Sequence, residues 1–428
     1  MTPYQLIESL RTGELTLPEY LWQADTRFTE REPSVLSFIP EEERFVRLHK
    51  EADALLFTYP DIVNRPPLYG MLAGVKDIFH VDGFTTQAGS HLPFEIFQGN
   101  EAESVTKLKN AGALILGKTV TTEFAYFSPG PTRNPHNSEH TPGGSSSGSA
   151  AAVGAELCPI ALGTQTIGSI IRPAAFCGVV GVKPTYDRIS RDGVIPLSPS
   201  LDHIGFFTPD ISTAKRVVSS LYKDWNASIS LDGTPTLGIP DGPYLASASD
   251  YALACFEKIC QSLTDAGYEL RRVRVMDDFQ EIRNRHDVIM SAEVAHIHAD
   301  WFKQYENLYS SKFTELIRRG QSVTDSQLQD AFTACDVFRD QMTQIMDDNK
   351  INLWICPPTI GPASKGLEST GDPIMNLPWT QIGFPAINIP TIKNEDNLPM
   401  GLQLVGKWNA DELLLAWAKG IEKVVRKI

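Results

Sequence analysis

The chain has 428 residues, 42% of them hydrophobic and 21% charged, with 31 glycines and 29 prolines, a globular composition able to build a large core. A formal net charge of −14 repels phosphate backbones, and no apolar run is long enough to span a bilayer, so neither a nucleic acid nor a membrane is expected as partner. Six cysteines scattered without a C-x-x-C pair argue for reduced, buried thiols rather than a zinc ribbon or a disulfide scaffold.

In chain order, Met1 to Leu10 has no basic stretch followed by an apolar one, and reads as a helix with Thr2 as cap and Pro3 at its first position. A cytoplasmic location is the simplest expectation. Residues 1–58 carry helical periodicity, with Leu6, Ile7 and Leu10 on one face, a stop at Gly13 and a restart at Thr16-Leu17-Pro18. Over residues 67–210, short apolar strands (70–75, 113–117 and 158–163) alternate with helical patterns such as 104–111 and 149–155. Residues 214–350 read as mostly helical cover, with long amphipathic patterns at 251–266 and 327–348 and one strand at 236–239. Arg271-Arg272-Val273-Arg274 is the nearest thing to a basic patch, and its plain reading is a solvated strand or loop edge. Residues 351–428 return to strands at 351–357, 386–390 and 401–405 before a helix at 411–425. This alternation predicts a single large α/β domain, a central mixed, twisted β-sheet flanked by α-helices.

The stretch that carries chemistry is Gly143-Gly144-Ser145-Ser146-Ser147-Gly148-Ser149, followed by Gly163-Thr164-Gln165-Thr166-Ile167-Gly168-Ser169-Ile170-Ile171-Arg172-Pro173. Two serine-bearing, glycine-rich turns offer hydroxyls and free backbone N–H groups, which nucleophilic attack on a carbonyl requires. Upstream, Leu72-Ala73-Gly74-Val75-Lys76-Asp77 is a short apolar strand with one basic residue. Order and spacing resemble the amidase signature family, and the resemblance extends over nearly the whole chain, through Gly181-Val182-Lys183-Pro184-Thr185, Ser200-Leu201-Asp202-His203-Ile204-Gly205 and Trp379-Thr380-Gln381-Ile382-Gly383-Phe384-Pro385.

That resemblance implies Ser169 as nucleophile, Ser145 as a bridging serine on a cis peptide bond, and Lys76 as final proton acceptor. It implies an oxyanion hole from the N–H groups of Thr166, Ile167, Gly168 and Ser169, no cofactor and no metal. Arg172, Asp202 and His203 are expected to support the site through hydrogen bonds. Most members have glycine where this chain has Ile167, a β-branched residue that disfavours φ > 0, so either the turn is φ-negative or the hole is reshaped. Tyr126, Phe127, Ile167, Met375 and Trp379 are candidate pocket residues whose apolar character favours aryl or alkyl acyl groups.

A lysine serves as base only when neutral, which burial promotes, and alternation along a strand turns Asp77 away from Lys76. Gly144-Ser145-Ser146-Ser147-Gly148 also fits G-x-S-x-G, but no strand precedes it, so Ser146 and Ser147 are expected to brace the turn. The same loop lacks the Gly-Lys-Ser/Thr ending of a phosphate-binding loop. His296 and His298, two apart on a helix, point about 200° from each other and do not share a metal. The expected function is hydrolysis of a small-molecule linear carboxamide, with carbamate or ester hydrolysis, or glutamine hydrolysis within a tRNA-dependent amidotransferase, as alternatives. A monomer or homodimer is expected.

Overall fold

A computed structural model of the chain describes residues 3–229, 231 and 233–428, so Thr2 and its capping role lie outside the described residues. The first helix, Pro3–Thr12, ends before Gly13, whose φ is +77°. The second, Leu17–Val35, starts in a capping box: Thr16 accepts from the Glu19 N–H while the Glu19 carboxylate accepts from the Thr16 N–H, as the restart at Thr16 anticipates. Helix Arg44–Thr58 completes this N-terminal layer.

Among the described residues, ten strands follow: β1 (Leu72–Lys76), β2 (Leu114–Thr119), β3 (Ile160–Gln165), β4 (Val180–Lys183), β5 (His203–Thr208), β6 (Leu237–Asp241), β7 (Leu270–Arg274), β8 (Leu353–Cys356), β9 (Ala386–Lys393) and β10 (Pro399–Val405). They form one sheet in the order β2-β1-β3-β5-β4-β9-β10-β8-β6-β7. The β2-β1-β3 end and the β8-β6-β7 end are parallel, and the pairs between β3 and β8 are antiparallel. Single-domain α/β architecture with a large mixed sheet flanked by helices is therefore what the sequence pattern indicates.

Three strands depart from the sequence expectation. β4 and β5 are short and buried on both faces, so they show no alternation of apolar and polar residues. The cover segment holds two strands rather than one, because Arg271 to Arg274 is the edge strand β7. Its arginines pair with Glu269, Glu257 and Asp277, which neutralises the basic patch noted above.

The two serine turns meet the sheet through small residues. Helix Ser147–Gly154 (SGSAAAVG) is almost wholly buried, and a Cβ on Gly148 would sit 2.2 Å from the Ser37 carbonyl oxygen and 2.4 Å from the Val120 nitrogen. On β3, a Cβ on Gly163 would lie 2.8 Å from Ser146 Oγ, so glycine is what lets the first turn rest against the strand that leads into the second.

Candidate active site

Lys76 is the last residue of β1, between β2 and β3, with no accessible surface. Its Nζ lies 2.8 Å from Ser145 Oγ and 2.7 Å from Thr164 Oγ1, and among the described residues it forms no ion pair. Asp77 faces the other way and pairs with Lys118 Nζ at 2.8 Å, as strand alternation requires. Burial therefore holds the Lys76 amine well below the ordinary lysine value, against a weaker upward pull from the Asp202 charge.

The Gly144–Ser145 peptide bond is cis. The Gly144 carbonyl accepts from Arg172 Nη2 at 2.6 Å, and the Ser145 carbonyl accepts from the Thr122 N–H at 3.2 Å. Ser146 is bound to the β3 backbone, donating to the Thr164 carbonyl at 3.1 Å, while Ser147 Oγ donates to the Gly143 carbonyl at 2.8 Å. Both brace the turn, a loop rather than a strand leads into it, and the elbow reading of Ser146 has no structural basis here.

Beyond β3 the chain makes the second turn. Gln165 Oε1 accepts from the N–H groups of Ile170 and Ile171, both at 2.9 Å, and the Ile167 carbonyl accepts from Thr380 Oγ1 at 2.6 Å. With these groups tied down, the N–H groups of Thr166, Ile167, Gly168 and Ser169 have no hydrogen-bond partner among the described residues. Four adjacent free donors form an anion-stabilising turn. Ile167 stays out of the positive-φ region, so the turn is φ-negative at this position and accepts the β-branched side chain. Ser169 is 7% exposed, and its hydroxyl makes no hydrogen bond with the described residues, Ser145 included.

Three supporting residues fall where expected. Arg172 also donates to the Gly371 carbonyl at 2.6 Å, and burial lowers its pKa to about 10. Asp202 accepts from Thr166 Oγ1 at 2.5 Å and from the N–H groups of Leu197 and Ser198 at 2.9 and 3.0 Å; burial nevertheless raises its pKa to about 6. His203 Nδ1 sits 2.7 Å from the Leu201 carbonyl, and its pKa is driven well down, first by burial and then by the Lys183 charge.

The pocket differs from expectation. Tyr126, Phe127 and Ile167 do line a crevice of about 10 Å³ at Ser169, together with Ala125, Leu197 and Pro373. Met375 and Trp379 do not: both have no accessible surface and line none of the described cavities, and the Trp379 indole N–H donates to Tyr244 at 2.8 Å within the core. Apolar type alone could not tell a pocket wall from the core. Tyr126, Phe127 and Pro373 also border an outer cavity of about 430 Å³ whose other walls include Lys312, Glu315, Arg319 and Asp372, so the entrance is charged rather than aryl-lined. Sequence reasoning missed these four because helix Ser311–Gly320 lies far along the chain; Thr164, the second partner of Lys76, sat within the quoted motif and was readable as a hydroxyl two residues before Thr166. A larger cavity of about 610 Å³, among residues 25–46, shares no residue with this site. His298 is buried against Tyr309 and aromatic rings, whereas His296 is exposed, and among the described residues no three His, Cys, Asp or Glu side chains are grouped as metal ligands.

Fold and site together define an enzyme of the amidase signature class, and the chain belongs to that family: the Amidase family model matches residues 47–415. It is 30% identical to a glutamyl-tRNA(Gln) amidotransferase subunit of Syntrophobacter fumaroxidans, over 99% of this chain and 96% of that one. A crystal structure of an amidase superposes with a TM-score of 0.89 at 29% identity, covering 99% of this chain and 100% of that chain. The peptide amidase of Stenotrophomonas maltophilia shares the fold, with a TM-score of 0.81 at 23% identity, covering 99% and 96%.

Proposed function

We propose that the protein hydrolyses linear carboxamides of small molecules through an acyl-enzyme on Ser169. The observation that carries this is the buried Lys76, whose amine meets two hydroxyls and no carboxylate among the described residues. An uncharged amine there accepts the Ser145 proton on its lone pair while one N–H donates to Thr164. Ser145 in turn takes the Ser169 proton once that hydroxyl turns towards it. Ser169 Oγ then bonds to the carbonyl carbon, and the oxyanion is held by N–H groups of residues 166–169, each such donor being worth about 3 kcal/mol. Collapse breaks the C–N bond, and the proton held by the Ser145–Lys76 pair passes to the departing nitrogen. Water then repeats the sequence, releasing the acid and restoring Ser169. Carbamates and esters pass through the same tetrahedral oxyanion.

The test is a panel of amides, anilides, carbamates and esters with the wild type and Ser169→Ala, together with intact-mass detection of the acyl adduct. Ser169→Ala is expected to lose turnover and adduct while keeping the fold; wild-type rates in a folded variant would remove the assignment. A second reading rests on the amidotransferase relatives, in which the same groups release ammonia from glutamine for a partner. Glutaminase activity of the purified chain exceeding its activity on every simple amide would favour it.

A further inference from the structure

A second cavity, of about 260 Å³, lies against the site and is not used by the steps above. Its walls are mainly Ile78, Val194, Ile195, Leu197 and Ile204, and Thr164 forms part of one end. Ala125 and Leu197 also line the crevice at Ser169, so the cavity and the reaction centre share a wall. Thr164 is the hydroxyl in contact with Lys76 Nζ, which places the cavity on the proton-relay side of the centre, whereas the charged outer cavity meets the crevice through Tyr126, Phe127 and Pro373.

The chemistry assigns the two sides. The nitrogen that leaves must receive its proton from the Ser145–Lys76 pair, so its substituent points towards Thr164. The acyl group, held by the oxyanion donors, extends the other way, past Tyr126 and Phe127. We infer that the 260 Å³ cavity is the site of an apolar substituent on the leaving amine, which makes the preferred substrates N-alkyl or N-benzyl secondary amides rather than primary amides. An apolar cavity of about 150 Å³ accommodates benzene, so this one is large enough for a benzyl or short alkyl group. Ammonia, the leaving group of a primary amide or of glutamine, would leave it empty. This inference rests on the proposed amide hydrolysis.

It is tested with two series: one acyl group carried by ammonia, methylamine, propylamine and benzylamine, and one amine carried by acyl groups of rising size. In the wild type, kcat/KM is expected to rise about tenfold or more from the primary to the N-benzyl amide, since each buried methylene in a hydrophobic pocket discriminates about tenfold or more. Val194→Phe, which narrows the cavity, should remove that gain and leave the primary amide within about twofold, which also reports an intact centre. Ile195→Ala, which widens it, should move the preference to larger amines. Binding of the same amides to Ser169→Ala, by calorimetry, should give the same ranking without turnover. The inference is overturned if both cavity variants change primary and N-benzyl amides alike, if they alter the acyl series instead of the amine series, or if primary amides bind and react as well as N-benzyl amides. Failure of the proposed hydrolysis itself would show differently, as turnover that survives in Ser169→Ala.

Discussion

Gly168→Ala is the smallest change that probes the anion-stabilising turn without touching a hydroxyl or Lys76. A Cβ at this position would sit 2.3 Å from Asn376 Oδ1 and 2.9 Å from Pro373 Cβ. Ordinary contact begins near 3.4 Å, so about 1 Å must be found. Asn376 cannot supply it easily, because its amide donates to the Pro358 carbonyl at 2.9 Å and to Gln403 Oε1 at 3.0 Å. The turn is fastened on both sides, at Ile167 by Thr380 and at Ile170 and Ile171 by Gln165, so the displacement falls on the free N–H groups between them. A displacement of about 1 Å in a catalytic constellation costs on the order of 10²-fold, and loss of one oxyanion donor costs about 10²- to 10³-fold. The expected outcome is a kcat lower by roughly 10²- to 10³-fold with KM little changed, since the donors act on the tetrahedral state rather than on bound substrate. Overpacking should also reduce stability by about 1 to 3 kcal/mol. Steady-state kinetics on the best amide, with urea unfolding of both proteins, measure the two effects. A folded Gly168→Ala enzyme with wild-type kcat would refute the role given to residues 166–169.

Other consequences can be checked in the same assays. Ser145→Ala, which removes the hydroxyl bound to Lys76, should lower kcat/KM by about 10²- to 10⁴-fold, while Ser146→Ala should lower it less and act mainly on stability. If Ser146→Ala is the more damaging for turnover, the relay through Ser145 is wrong. Because burial lowers the Lys76 pKa and the neutral amine is the base, kcat/KM should rise with pH through a single ionisation well below the usual lysine value, and Lys76→Ala should lose both that limb and most activity. Lys76→Arg, always charged, should be as inactive as Lys76→Ala; substantial hydrolysis by it would contradict a neutral base. Asp202, lifted to about 6 from 3.8, binds a proton more tightly when folded, so its contribution to stability is present at low pH and lost as pH rises through about 6, by roughly 3 kcal/mol. Asp202→Asn should flatten that part of the stability profile between pH 4 and 7 in chemical denaturation; an unchanged slope would show that the carboxylate is not penalised by its burial.

Much of the site was legible because its chemistry is local in the chain. Two glycine-rich turns, one strand lysine and a strand-alternation argument were enough to name Lys76, Ser145 and Ser169 and to set Asp77 aside, and Thr16 and Glu19 announced their helix through a motif four residues long. What depends on packing against distant segments was not. β4 and β5 are covered on both faces, so no alternation marks them, and Met375 and Trp379 have the same apolar chemistry as a pocket wall yet are enclosed by Tyr244 and Trp354. The charged entrance draws on Lys312 and Arg319, nearly two hundred residues beyond Tyr126 and Phe127, and the second cavity is closed by residues from β1, β3, β5 and the loop before β5. The sequence by itself determined the reacting groups, because residue type and spacing specify which atoms can exchange a proton. The tertiary structure decided which way the turn is φ-biased, which hydroxyls the lysine meets and what shape of substrate can reach Ser169, because free donors, desolvation and cavity walls exist only once remote segments have packed together.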